Sequence, residues 1–156
     1  MTALNKYNKE KGFTLIELLV VIGILAILLA ITLIAINPAR QFGQANDTKR
    51  RSDANAILNA VGQYSASNSG NLPGEVATAS SSATEINSAN FPNLCTALVP
   101  TYIPALPADP SINNQAGISN CATTPWDTGY QIAKDANNRI TVSAPDAYAG
   151  PITVTR

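Results

Sequence analysis

Apolar residues fill the stretch from Phe13 to Ile36, "FTLIELLVVIGILAILLAITLIAI", and Glu17 is its one charge. As a helix this run reaches roughly 36 Å, enough to cross a hydrocarbon layer of about 30 Å with some tilt. It is apolar around its whole circumference, which excludes an amphipathic helix lying on a surface. After Pro38 the pattern changes. Ala54, Ile57, Leu58, Val61 and Tyr64 recur at spacings of three and four, while Asn55, Asn59 and Gln63 take the opposite face. The two patterns predict a helix from about Phe13 to about Ser67, bent near Pro38, where the ring removes one backbone hydrogen bond. Its first half is hydrophobic and its second half amphipathic.

Beyond Ser67 the chain reads "SNSGNLPGEVATASSSATEINSAN". No period survives there, which predicts an exposed loop with a short helix near its end. Pro100, Pro104, Pro107 and Pro110 argue against a regular helix between Phe91 and Pro110. They predict an extended surface segment pinned by Leu98, Tyr102, Ile103 and Leu106. Alternation returns with Tyr130 and Ile132, breaks at the turn "DANNR", and resumes with Ile140 and Val142, the mark of an antiparallel hairpin. Pro151 to Thr155 predicts a third strand. Three strands with one apolar face against the helix stripe suffice for a small core. The expected fold is α+β, a long amino-terminal helix packed on a small antiparallel sheet.

Composition narrows the function. With 156 residues the chain is long enough for one globular domain. Ten basic and ten acidic residues cancel, so no global charge points to a nucleic-acid partner. The charge is uneven all the same. Lys6, Lys9 and Lys11 outweigh Glu10 at the amino end, whereas acids outnumber bases after residue 60. There is no histidine, the side chain most used for base catalysis near neutral pH and for metal ligation. Two cysteines make neither a zinc site nor a CxxC pair. No nucleophile elbow and no phosphate loop appears, so the sequence does not read as an enzyme's, and no cofactor is expected.

Glu17 decides among three readings of the apolar run. A secretory signal peptide has a shorter apolar core of about 7–15 residues, and a cut after Ala35 would put Leu33 where a small residue is wanted. A plain membrane anchor has no use for an acid, which costs on the order of 2.5–3.5 kcal/mol in hydrocarbon. A segment that sits first in the membrane and then packs into an assembly gives the acid a partner. The competing reading of Glu17 alone is an acid near enough to the interface to reach water.

The stretch "KGFTLIELLVVIGILAIL", residues 11–28, resembles the class III signal of type IV pilins and pseudopilins, through Lys11, Gly12, Phe13, Thr14, Leu15 and Glu17. The resemblance implies a pilin-like fold and four regions. Residues 1–12 form a leader removed by prepilin peptidase, and 13–36 a transmembrane and later filament-core helix. Residues 37–67 are the amphipathic half of the helix, and 68–156 a globular head. It further implies cleavage between Gly12 and Phe13, N-methylation of Phe13, and pairing of Glu17 with the amino-terminal nitrogen of a neighbouring subunit. Gly12, lacking a Cβ, lets a protease approach its backbone closely; alone it would be an ordinary turn glycine. Implied partners are further copies of the chain, prepilin peptidase/methyltransferase, an assembly ATPase with inner-membrane platform proteins, and membrane lipid before assembly. The implied location is the membrane as a single-pass precursor, then a cell-surface filament, or the periplasm for a pseudopilin.

Two later blocks extend the likeness. "YIPALPADP" and "PWDTGYQI" resemble blocks that run nearly together in major pseudopilins of type II secretion; here Ser111 to Thr124 separates them. Asp109 and Asp127 are too few carboxylates for a calcium cage, so no metal is expected. Export would place Cys95 and Cys121 in an oxidising compartment, where a disulfide is expected; two free buried thiols are the alternative. Gly23 and Gly43 each weaken a helix by roughly 1 kcal/mol, serving either local melting or close packing. "TKRRSD", Thr48 to Asp53, is expected to be a solvated face of the second half-helix. The subunit of a pilus-like filament is the first reading of function, a type II secretion pseudopilin the second, and a membrane-anchored binding module the third.

Overall fold

The computed structural model describes residues 12–112 and 116–156. Lys11, with the rest of the expected leader before Gly12, lies outside the described residues. The chain divides into two units, one ending at Gln41 and one running from Phe42 to Arg156.

In the first unit, helix α1 covers Leu15–Ile36 and none of its residues is buried. Each large aliphatic side chain is worth about 1.5–3 kcal/mol on burial, so this helix calls for lipid or other helices around it. Thr14 caps it. Thr32, a polar side chain within the run, donates its hydroxyl to the Leu29 carbonyl at 2.9 Å and so leaves no unpaired donor. Asn37 ends α1 in the left-handed region, at φ 46°, a conformation asparagine tolerates better than most residues. Pro38 then opens helix α2, Pro38–Ser67. At the first helical position its missing N–H costs no hydrogen bond. The expected single bent helix is thus two helices, with a stop at Asn37 and a restart at Pro38.

In the second unit, α2 buries Arg50, Ala54, Ile57, Leu58, Ala60 and Val61. The predicted stripe is the buried face, and Tyr64 completes it half-buried, edge-on to Tyr102 with ring centroids 5.6 Å apart. Four antiparallel strands follow: β1 (Thr84–Asn87), β2 (Asp127–Lys134), β3 (Ile140–Ala144) and β4 (Ile152–Thr155). They lie side by side in that order. Strand β2 buries Thr128, Tyr130 and Ile132 and exposes more of the residues between. Strand β3 buries Ile140, Val142 and Ala144. The apolar side chains among these and the α2 stripe make one core cluster with Ile86, Leu94, Leu98 and Leu106. Hydrogen bonds fasten the sheet to the helix: the Tyr130 hydroxyl donates to Asp53 at 2.9 Å, and Arg156 donates to Asn59 at 2.5 Å. The architecture is the expected α+β, pilin-like one.

Three further details differ from expectation. The Ser/Asn-rich stretch holds helix α3 at Gly74–Ala77 and strand β1 toward its end, rather than a loop ending in a short helix. The proline-rich stretch begins with helix α4, Leu94–Leu98, which finishes before Pro100 and buries Leu94, Cys95 and Leu98. The sheet has four strands, because β1 pairs with β2.

Candidate functional site

The amino-terminal site is built from Gly12, Phe13, Thr14 and Glu17. Thr14 and Glu17 close a reciprocal cap on α1. The Thr14 hydroxyl oxygen accepts from the Glu17 N–H at 3.2 Å. Glu17 Oε2 accepts from both the Thr14 N–H, at 2.9 Å, and the Thr14 hydroxyl, at 2.8 Å. Two backbone donors that the helix itself leaves unpaired are satisfied in this way. The acid therefore has a local partner in its own helix start. The spacing Thr-x-x-Glu before an apolar run is a legible capping signal that a reading of the acid as an assembly group passes over. The second oxygen, Oε1, accepts no hydrogen bond among the described residues. Phe13 is 89 % exposed, and no heavy atom outside its neighbours lies within 4 Å of a Cβ built on Gly12. Among the described residues, none covers the peptide bond between them.

A second cluster fastens α2 to two loops of the head. Arg50, 3 % exposed, meets Asp109 side-on: Nε donates to Oδ2 at 2.7 Å and Nη2 to Oδ1 at 2.8 Å. Nη2 also donates to the Ser111 hydroxyl at 2.8 Å, and Nη1 to Asp47 Oδ1 at 3.1 Å. The Ser111 N–H donates to Asp109 Oδ1 at 2.8 Å. Asp47 in turn accepts the N–H groups of Tyr148, at 2.8 Å, and Ala149, at 3.0 Å. Arg50 belongs to the stretch expected to be a solvated face. It is instead the buried centre of the cluster, because its partner Asp109 lies far along the chain. Burial works against ionisation of Asp109, but hydrogen bonds from Arg50 and Ser111 outweigh it and hold the carboxyl below its ordinary value. Asp47 is likewise held low: burial opposes, and the Ala149, Tyr148 and Arg50 donors prevail. Hydrogen bonding to Asp109 raises the Arg50 value further above its ordinary one against the cost of burial. Burial and the bond to Asp53 push the Tyr130 phenol up.

Asp109 thus spends both carboxylate oxygens on Arg50 and Ser111. Asp127 Oδ1 accepts the Gly129 N–H at 2.9 Å. Among the described residues no group of three or more His, Cys, Asp or Glu stands together as a metal would need. The two sequence blocks that carry these acids meet in space. The Asp109 N–H donates to the Thr128 carbonyl at 2.8 Å, and Gly129, at φ +70°, leaves room where a Cβ would stand 2.9 Å from Asp109 Cβ. Leu106 and Ile118 form a two-residue antiparallel bridge beside them. Cys95 on α4 is bonded to Cys121, with Cα atoms 5.5 Å apart. Part of the insert, residues 113–115, lies outside the described residues.

A family model described as the prokaryotic N-terminal methylation motif matches residues 7–33. The chain therefore carries the class III prepilin signal of type IV pilins and pseudopilins. Compared with curated proteins and with solved structures, it finds no match.

Proposed function

We propose that the chain is the structural subunit of a type IV pilus-like filament, made as a membrane precursor and assembled through its amino-terminal helix. The observation that carries this reading is the coincidence of the methylation motif at 7–33 with a helix of which no residue is buried among the described residues. The peptidase hydrolyses the Gly12–Phe13 amide, releasing the 1–12 leader as a carboxylate and leaving an ammonium on Phe13. That nitrogen, as the free amine after loss of a proton, then attacks the methyl group of a sulfonium donor held by the methyltransferase; the C–S bond breaks and the donor leaves as a thioether. The new cation and the carboxylate of Glu17 both lie in an apolar setting, where each alone is costly and the pair offsets part of each cost. Glu17 keeps Oε2 on its own cap and offers Oε1 to the Phe13 nitrogen of a neighbouring copy. A copy docked out of register leaves both charges unpaired, so the contact sets register even where its net stabilisation is small. Residues 13–36 form the membrane and filament core, 37–67 the connecting half-helix and 68–156 the outward head. A separate ATPase acting through inner-membrane platform proteins supplies the work of extraction, consistent with a sequence that carries no phosphate loop. Its role is structural rather than enzymatic.

A pseudopilin of type II secretion is the second reading. It is favoured by the contact between the blocks "YIPALPADP" and "PWDTGYQI", which pair in spite of the insert. Deletion separates the two. Loss of long surface filaments in electron micrographs supports the pilus subunit; loss of protein secretion from cells that never displayed filaments supports the pseudopilin.

A further inference from the structure

In the second unit, two large apolar side chains stand well exposed, Phe42 at 71 % and Tyr148 at 59 %. Both belong to the second unit. The Tyr148 ring rests on the backbone of Gly43, where an added Cβ would lie 2.5 Å from Cγ. Asp47 holds the loop from beneath through the Tyr148 and Ala149 N–H groups, and Arg50 holds Asp47. The ring is therefore seated and clamped, yet its outer face meets solvent. Phe42 follows the end of α1 at Ile36 by six residues. Chain length alone keeps it within roughly 20 Å of that end, however the two units are arranged. Arg40, exposed and two residues before Phe42, brings positive charge beside it, and Asp146 in the Tyr148 loop is an exposed acid.

The geometry points to an interfacial anchor: Phe42 and Tyr148 seat the head on the headgroup layer of the bilayer that holds α1, with Arg40 turned to anionic lipid. Tyrosine suits this layer because its ring is apolar and its hydroxyl polar. Arginine near the surface gains from the negative potential of anionic lipid. The anchor rests on the reading of α1 as a membrane span in the precursor. It gives the stored subunit a fixed head position before assembly, and it is broken when the helix is extracted.

The test uses the full chain in phosphatidylglycerol/phosphatidylethanolamine vesicles, with a spin label at Ala149→Cys. A second label at Gln44→Cys guards against local damage. The control is Ala136→Cys, in the β2–β3 turn at the other end of β3. Flotation with the vesicles reports whether α1 inserts. The anchor predicts a several-fold drop in collisions with a water-soluble nickel chelate at 149 and 44, and none at 136. Tyr148→Ser in the labelled chain returns the 149 label to water, and Tyr148→Trp keeps it shielded. A chain that floats with 149 and 44 as exposed as 136 overturns the anchor and leaves the membrane reading standing. A chain that does not float overturns both. Shielding found only in assembled filaments assigns the patch to a second copy and overturns the lipid assignment.

Discussion

Arg50 and Asp109 meet in a two-point contact, Nε to Oδ2 and Nη2 to Oδ1, at 2.7 and 2.8 Å and out of water. The pair joins the amphipathic helix to the loop that precedes the disulfide-bearing insert. Removing one partner leaves a buried charge alone. Arg50→Met is expected to lower stability by about 3–5 kcal/mol, whereas Arg50→Met with Asp109→Leu recovers most of that loss. Urea unfolding of the full chain in detergent measures both.

The same contact sets a pH dependence. Asp109 and Asp47 titrate below their ordinary value in the folded chain. A carboxyl of this kind contributes stability above its unfolded value of about 3.9 and loses it as pH falls through the lower folded value. Unfolding temperature is expected to stay level from neutral pH to about pH 5 and to fall below about pH 4. In Asp109→Asn the acid slope is shallower and the neutral plateau lower. A parallel slope in variant and parent removes Asp109 from the account.

Gly129 is the position where the two sequence blocks press together. A side chain there faces both a left-handed backbone, at φ +70°, and Asp109 Cβ at 2.9 Å. Gly129→Ala is expected to cost at least about 1–2 kcal/mol from the backbone alone. Denaturation midpoints of the two chains check this, with Gly74→Ala as the comparison, since nothing lies within 4 Å of a Cβ there.

Much of this architecture was legible in the residues. The apolar run and the three-and-four stripe of α2 carry their period openly, and so do the alternating β2 and β3. Strand β1 does not, because Ile86 is its one buried residue and its neighbours are polar. Helix α4 hides behind the prolines that follow it, although its five residues, "LCTAL", contain none. Arg50 shows the limit most plainly. A charge among charges reads as solvated, and only the fold reveals that Asp109 comes to cover it. Glu17 shows the opposite case: its capping signal lies within four residues, and the acid's oddity in an apolar run draws attention away from it.

Glu17 caps its own helix, and a substitution can separate that role from the proposed one in assembly. Glutamine can keep the cap on α1, since glutamine serves at this capping position as glutamate does, but it cannot pair with an ammonium as an ion. Glu17→Gln is expected to insert into membrane and be processed like the parent, yet to compete poorly for filament incorporation when the two are co-expressed. Quantitative mass spectrometry of sheared filaments measures the ratio. Equal incorporation places the value of Glu17 in its cap alone.

The central claim is that the leader ends at Gly12 and that the working chain begins at Phe13. Amino-terminal peptide mass analysis of protein taken from the native cell envelope tests it directly. The account predicts a mature chain starting at N-methylated Phe13, with residues 1–12 absent. A chain that still begins with its leader, or one cut near Ala35, contradicts it.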